Sequence, residues 1–296
     1  MTSVLAQQPI GVFDSGIGGL SVLAALREAL PHERFIYLAD SGHAPYGEKG
    51  DGFVTARSLA IARWLVEEQA IKALVVACNT ATAAAVDALR AALPGLPVIG
   101  VEPALKPAAA ATRTGHVGVL ATRGTVHSER FARLRAAHED RVRFSVQACD
   151  GLAHAIEQST GEPPQAARAR DAMQDLCVRY TTALGDFGTR EGAMDTLVLG
   201  CTHYVFAREL LRTLVGPQVQ IIDTGVAVAR QTRRLLAACS ALAPEQRGDA
   251  SFGASGQIRL VTTGSLSDLQ AAAAHWLGLP PHACAALPCL EPARVF

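Results

Sequence analysis

The sequence predicts an α/β protein made of two similar domains facing each other, each a doubly wound parallel sheet. Three observations carry that expectation: short apolar runs alternate with helical patterns from residue 10 onward, a fresh alternating series begins at Val117, and Cys78 and Cys201 end two such runs in matching local settings.

The first series reads as strand 10–13, helix 20–30, strand 34–38, helix 54–69, strand 74–76 and helix 83–93. Short connections between such elements imply parallel strands with helices on both faces. A further strand at 98–101 leads through Glu102-Pro103 into an Ala-rich helix, which marks the domain junction. The second series holds strands at 117–120, 142–147 and 197–199, with helices at 128–137 and 166–184. After Cys201 come a helix at 206–214 and strand runs at 219–222 and 258–261, both expected to rejoin the first domain. The first domain is therefore expected to span 1–101 plus 216–296 and the second 102–215. The Pro- and Gly-containing segment 241–256 reads as a surface loop.

Composition narrows the function. The 296 residues are 49% hydrophobic and 18% charged, a globular balance with room for a sizeable core. With 27 basic and 27 acidic side chains, no net field draws in nucleic acid or an anionic membrane, so a small-molecule partner is expected. Neither a secretory signal nor a transmembrane span is evident, and seven irregularly spaced cysteines fit a reducing, cytoplasmic setting.

Cys78, in Ala77-Cys78-Asn79-Thr80, and Cys201, in Gly200-Cys201-Thr202-His203, fall where a buried strand hands over to a helix. Helix-terminal N–H groups favour a thiolate, so two such thiols suit paired acid and base work. Either thiol alone also reads as inert packing, and their likeness is what argues for catalysis. The loop Asp14-Ser15-Gly16-Ile17-Gly18-Gly19 can seat a carboxylate or phosphate, and with Asp40 it partly fits a dinucleotide fingerprint. Ser21 occupies the third glycine position and Asp14 would repel a pyrophosphate, yet a nucleotide-binding module or oxidoreductase stays as the alternative class. For Asp14, helix capping is the bland reading, and Asn79, Thr80, Thr202 and His203 can likewise be caps. Pro45-Tyr46-Gly47 marks a turn whose backbone could meet a ligand. No metal is expected, because His282, Cys284 and Cys289 form no zinc spacing.

The stretches 14–23, 45–47, 76–81 and 199–204 resemble, in order, the signatures of the glutamate racemases of the aspartate/glutamate racemase superfamily. The resemblance implies two pseudosymmetric α/β domains with the active site between them, and cofactor-free racemisation of glutamate that supplies D-glutamate for peptidoglycan. It assigns Cys78 to the D-glutamate side and Cys201 to the L-glutamate side, with Asp14 and His203 assisting them. Ser15, Tyr46, Gly47, Asn79, Thr80 and Thr202 match residues that hold the substrate, as do Asp14 and His203. Thr122, Thr125 and Glu157 match less distinctive positions. A homodimer is expected, and an aspartate or hydantoin racemase is the alternative within the superfamily. Val205 and Ser41-Gly42-His43 depart from the usual pattern, at places expected to lie away from the chemistry. With lysines only at 49, 72 and 106, none near the cysteine motifs, a Schiff-base cofactor is not expected.

Overall fold

A computed structural model describes residues 4–160, 164–244, 258–287 and 290. Helix α1 (Val4–Gln7) precedes the first series, which runs β1 (Ile10–Asp14), α2 (Leu20–Ala29), β2 (Phe35–Ala39), α3 (Asp51–Gln69), β3 (Ala73–Val76), α4 (Asn79–Ala92) and β4 (Val98–Gly100). The second runs α5 (Leu105–Ala111), β5 (His116–Ala121), α6 (Arg123–Val126), α7 (Glu129–Ala136), β6 (Arg143–Ala148), α8 (Leu152–Gln158), α9 (Gln165–Leu184), β7 (Thr196–Gly200), α10 (Arg208–Val215) and β8 (Gln220–Ile222). The chain ends with α11 (Gly225–Ala238), β9 (Ile258–Thr262), α12 (Leu266–Leu277) and β10 (Cys284–Ala286).

Among the described residues the strands form a six-stranded sheet in the order β10-β9-β2-β1-β3-β4 and a four-stranded sheet in the order β6-β5-β7-β8, with every pairing parallel. The blocks β2-β1-β3-β4 and β6-β5-β7-β8 repeat one topology, which is the pseudosymmetry anticipated from the cysteines. Strand side chains alternate between two cores. In β3, Ala73 and Val75 face α2, α11 and α12, while Leu74 and Val76 face α3 and α4. In β7, Leu197 and Leu199 face α8, α9 and α10, while Val198 faces α5 and α7. Burial on both faces explains why these strands read as unbroken apolar runs, each fully buried Val or Leu contributing about 1.5–3 kcal/mol.

One strand placement differs from expectation. The run at 219–222 does not rejoin the first sheet; β8 pairs with β7, setting Leu197 against Ile221. The connection through α10 is a short strand–helix–strand crossover, and the next strand pairs with the one just left. Only β9 returns, alongside β2. The chain crosses back after Ile222, and α11 packs on α2. Part of the loop expected at 241–256 lies outside the described residues. No described helix is long and apolar enough to cross a membrane.

Candidate active site

Asp14 ends β1, Cys78 follows β3 by two residues, Thr122 follows β5 and Cys201 follows β7. Since β1 pairs with β3 and β5 with β7, the two thiols hold equivalent places at the carboxyl ends of their sheets. That edge is where open α/β sheets bind ligands.

On the first side, Cys78 is itself the N-cap of α4, its Sγ accepting from the Ala81 N–H at 3.4 Å. Asn79 and Thr80 lie inside the helix and do not cap it. The Cys78 thiol points to Ser15 Oγ at 3.8 Å. Asp14 is fully buried; its carboxylate accepts from the Ser15 N–H at 2.7 Å, the Gly19 N–H at 2.5 Å and, across the cleft, the Thr202 hydroxyl at 3.3 Å. The helix terminus was expected to lower the thiol pKa. Instead burial, and then the charge of Asp14, push Cys78 well above the ordinary thiol value. Burial also raises Asp14, partly opposed by the charge of His203 and the hydrogen bond with Cys78. Two acidic groups this close cannot both ionise freely, so they behave as a coupled pair.

On the second side, a 3-10 turn, Thr202–Ala207, separates Cys201 from α10, and neither Thr202 nor His203 caps a helix. The partner of Cys201 is a side chain: His203 Nδ1 lies 3.9 Å from its Sγ, and His203 Nε2 lies 2.6 Å from Glu157 Oε2 on α8. Burial alone would push His203 down, but the hydrogen bonds to Cys201 and Glu157 outweigh it and hold the imidazole well above its ordinary value. Burial would raise Glu157, yet its bonds to His203, the Ile17 N–H and Ser41 bring it below the usual carboxylate range. From its residues alone Glu157 is a weak candidate, since a helical glutamate is usually a solvated one, and the resemblance adds only a less distinctive position; the fold makes it the hub of this half.

The glycine loop serves this cleft. Its Ile17 N–H donates to Glu157 Oε2 at 2.9 Å, and a Cβ on Gly16 would lie 2.6 Å from Glu157 Cδ. The N–H groups that a dinucleotide phosphate would need are taken by Asp14 and Glu157. Asp40, the presumed ribose acid, is bound by Arg57, Tyr46 and Thr263. The nucleotide reading is therefore displaced. Tyr46 is buried and donates its phenol to Asp40 at 2.5 Å, while Gly47 packs where a Cβ would meet Thr122 Cβ at 2.8 Å. Thr80, Thr122 and Thr125 join their hydroxyls across the cleft in two steps of 2.9 Å. The Asn79 amide is buried with neither its nitrogen nor its oxygen hydrogen-bonded. One departure from the family pattern also lies closer than expected, since Ser41 donates to Glu157 Oε1 at 2.8 Å. Ser41 carried no signal beyond that departure, and Arg57, buried in a helical pattern, carried none.

Elsewhere, no group of metal-ligating side chains stands among the described residues, and Cys289 lies outside them. Cys149 and Cys177 are buried in the apolar core beneath Cys201, where burial pushes Cys177 up to about 12. Lys72 sits at the opposite end of β3 from Cys78, paired with Glu33 at 2.5 Å.

The Glu157–His203 pair sets a pH signature. Glu157 lies below its ordinary 4.5, so its contribution to stability is present above 4.5 and lost as pH falls through the depressed folded value. His203 lies above its ordinary 6.5, so its contribution is complete below 6.5 and lost as pH rises through the raised folded value. The melting-temperature gap between wild type and Glu157→Gln is therefore expected to peak between 4.5 and 6.5. Thermal scans across pH check this, and a gap that does not vary with pH removes the ion pair.

Two α/β domains that close paired thiols between their sheet edges define a racemase-type isomerase scaffold. The chain belongs to the Asp/Glu/Hydantoin racemase family, whose sequence model matches residues 10–232. It is 47% identical over 289 residues to a glutamate racemase of Cupriavidus pinatubonensis, covering 97% of both chains. It is 48% identical to one of Ectopseudomonas mendocina, covering 86% of this chain and 92% of that one. Among solved structures, a glutamate racemase isoform from Bacillus anthracis superposes with a TM-score of 0.77 at 30% identity, over 98% of this chain and 100% of that one. The Escherichia coli glutamate racemase, solved with L-glutamate and the activator UDP-MurNAc-Ala, gives 0.73 at 32% identity, over 91% and 95%.

Proposed function

We propose that this chain racemises glutamate by a two-thiol mechanism that needs no added cofactor, supplying D-glutamate for peptidoglycan. The observation that carries the reading is the equivalence of Cys78 and Cys201. Each ends the same strand of a repeated four-strand block, and each faces its own ionisable partner, Asp14 or the Glu157–His203 pair. The names and coverage of the relatives support glutamate as substrate.

The α-proton of an amino acid is weakly acidic, so the base needs donors that take up the developing carboxylate charge. The unpartnered Asn79 amide and the hydroxyls of Ser15 and Thr202 suit that task, because an orphaned buried amide costs about 1–3 kcal/mol until something binds it. From L-glutamate, Cys201 as thiolate takes the α-proton and becomes a thiol, and Cys78 as thiol gives its proton to the opposite face and becomes a thiolate. The reverse direction exchanges the roles. Asp14 shares the proton of the Cys78 side, and the cationic His203 steadies negative charge on the Cys201 side. The Thr80, Thr122 and Thr125 hydroxyls with the Gly47 backbone suit the distal carboxylate, favouring glutamate over the shorter aspartate.

Purified enzyme in deuterium oxide is expected to place deuterium at the α-carbon of both glutamate enantiomers, and far more slowly in aspartate. Exchange with neither glutamate enantiomer overturns the reading; faster exchange with aspartate moves the enzyme to the superfamily alternative. Cytoplasmic location and a homodimer complete the proposal, the second checked by sedimentation.

A further inference from the structure

Glu157 belongs to the Cys201 side, yet two of its donors come from the opposite domain. The Ile17 N–H and the Ser41 hydroxyl both reach its carboxylate, Ser41 at 2.8 Å on Oε1, while Oε2 takes His203 at 2.6 Å. Ser41 lies two residues beyond β2 and is firmly held. Beside it, the buried Asp40 carboxylate accepts from Arg57 Nε at 3.0 Å and Nη2 at 2.7 Å, Tyr46 at 2.5 Å and Thr263 at 2.8 Å. Behind it, the lack of a side chain on Gly264 admits close packing, since a Cβ there would lie 2.8 Å from Ser41 Cβ.

The Cys78 side is built differently. Asp14 draws its short bonds from its own domain, and its one bond from across the cleft, to Thr202, is 3.3 Å. We propose that Ser41 is a positioning residue for the Cys201 half of the reaction, its hydroxyl fixing the Glu157 carboxylate that orients His203 against Cys201. The thiol partner set of the second domain is thus completed by the first, and only when the two meet. This rests on the two-thiol reading above.

The equilibrium between enantiomers ties the two directions of turnover together, so a lesion in one half shows as a change in which proton transfer limits the rate. Ser41→Ala removes a hydrogen bond to a charged acceptor, and kcat/KM is expected to fall about tenfold in both directions. With α-deuterated substrates, the primary isotope effect on kcat/KM should rise from L-glutamate, deprotonated by Cys201, and fall from D-glutamate, deprotonated by Cys78. Ser41→Thr keeps the hydroxyl and should stay within about twofold of wild type. An unchanged rate, isotope effects that move alike from both enantiomers, or a threonine variant as slow as the alanine variant overturns the proposal. If Cys201→Ala loses exchange with D-glutamate instead of L-glutamate, the face assignment is what fails, and the Ser41 effect should follow Cys201 to the other enantiomer.

Discussion

Cys78→Ser and Cys201→Ser are each expected to lower glutamate racemisation by about 10³-fold or more, because each removes one of two proton-transfer groups that act in series. The informative result lies in what survives. With Cys201 replaced, Cys78 can still take the α-proton of D-glutamate and return one from solvent, so exchange without inversion persists on that side. With Cys78 replaced, the same holds for L-glutamate. Chiral chromatography gives the rate of inversion, and proton NMR in deuterium oxide gives exchange from each pure enantiomer. Two single mutants with complementary one-sided exchange establish the two-base assignment. A mutant that racemises at the wild-type rate, or that loses exchange equally from both enantiomers while folded, overturns it. The burial that raises Cys78 also predicts that its thiol is protonated at neutral pH, with Asp14 opposing its ionisation.

Much of this arrangement was legible in the sequence because it is written locally. A parallel strand covered on both faces is an unbroken apolar run, and β3 and β7 announce themselves that way, with each cysteine one or two residues beyond the strand end. What escaped notice depends on contacts between distant residues. Nothing in Gln220-Ile221-Ile222 reveals that it extends the second sheet, because strand order is a pairing choice and not a periodicity. The bond between Ser41 and Glu157 spans 116 positions, and neither residue type betrays it. The thiol environment was misjudged for a related reason. Helix termini can be read from sequence, but the burial and the neighbouring carboxylate that outweigh the terminus at Cys78 come only with the assembled fold.

The assembled cleft also changes what the glycines are for. As sequence they suggested a tight turn, yet Gly18 does not have a positive φ, and what it supplies is room. A Cβ there would lie 2.6 Å from His203 Cε1 and 2.7 Å from Cγ, with Nδ1 nearer still. The ring cannot simply swing aside, since His203 is buried between Glu157 and Cys201. Gly18→Ala is therefore expected to leave each domain folded while holding the two apart, or tilting the imidazole off Cys201. A displacement of about 1 Å in a proton-transfer site costs on the order of 100-fold, so kcat/KM should fall by about that factor with little change in melting temperature. Gly50→Ala supplies the control, because a Cβ there meets nothing within 4 Å and activity should be unchanged. If Gly18→Ala keeps activity within about threefold of wild type, the close approach of the loop to His203 is not needed for turnover, and the coupling of domain contact to the Cys201 base falls with it.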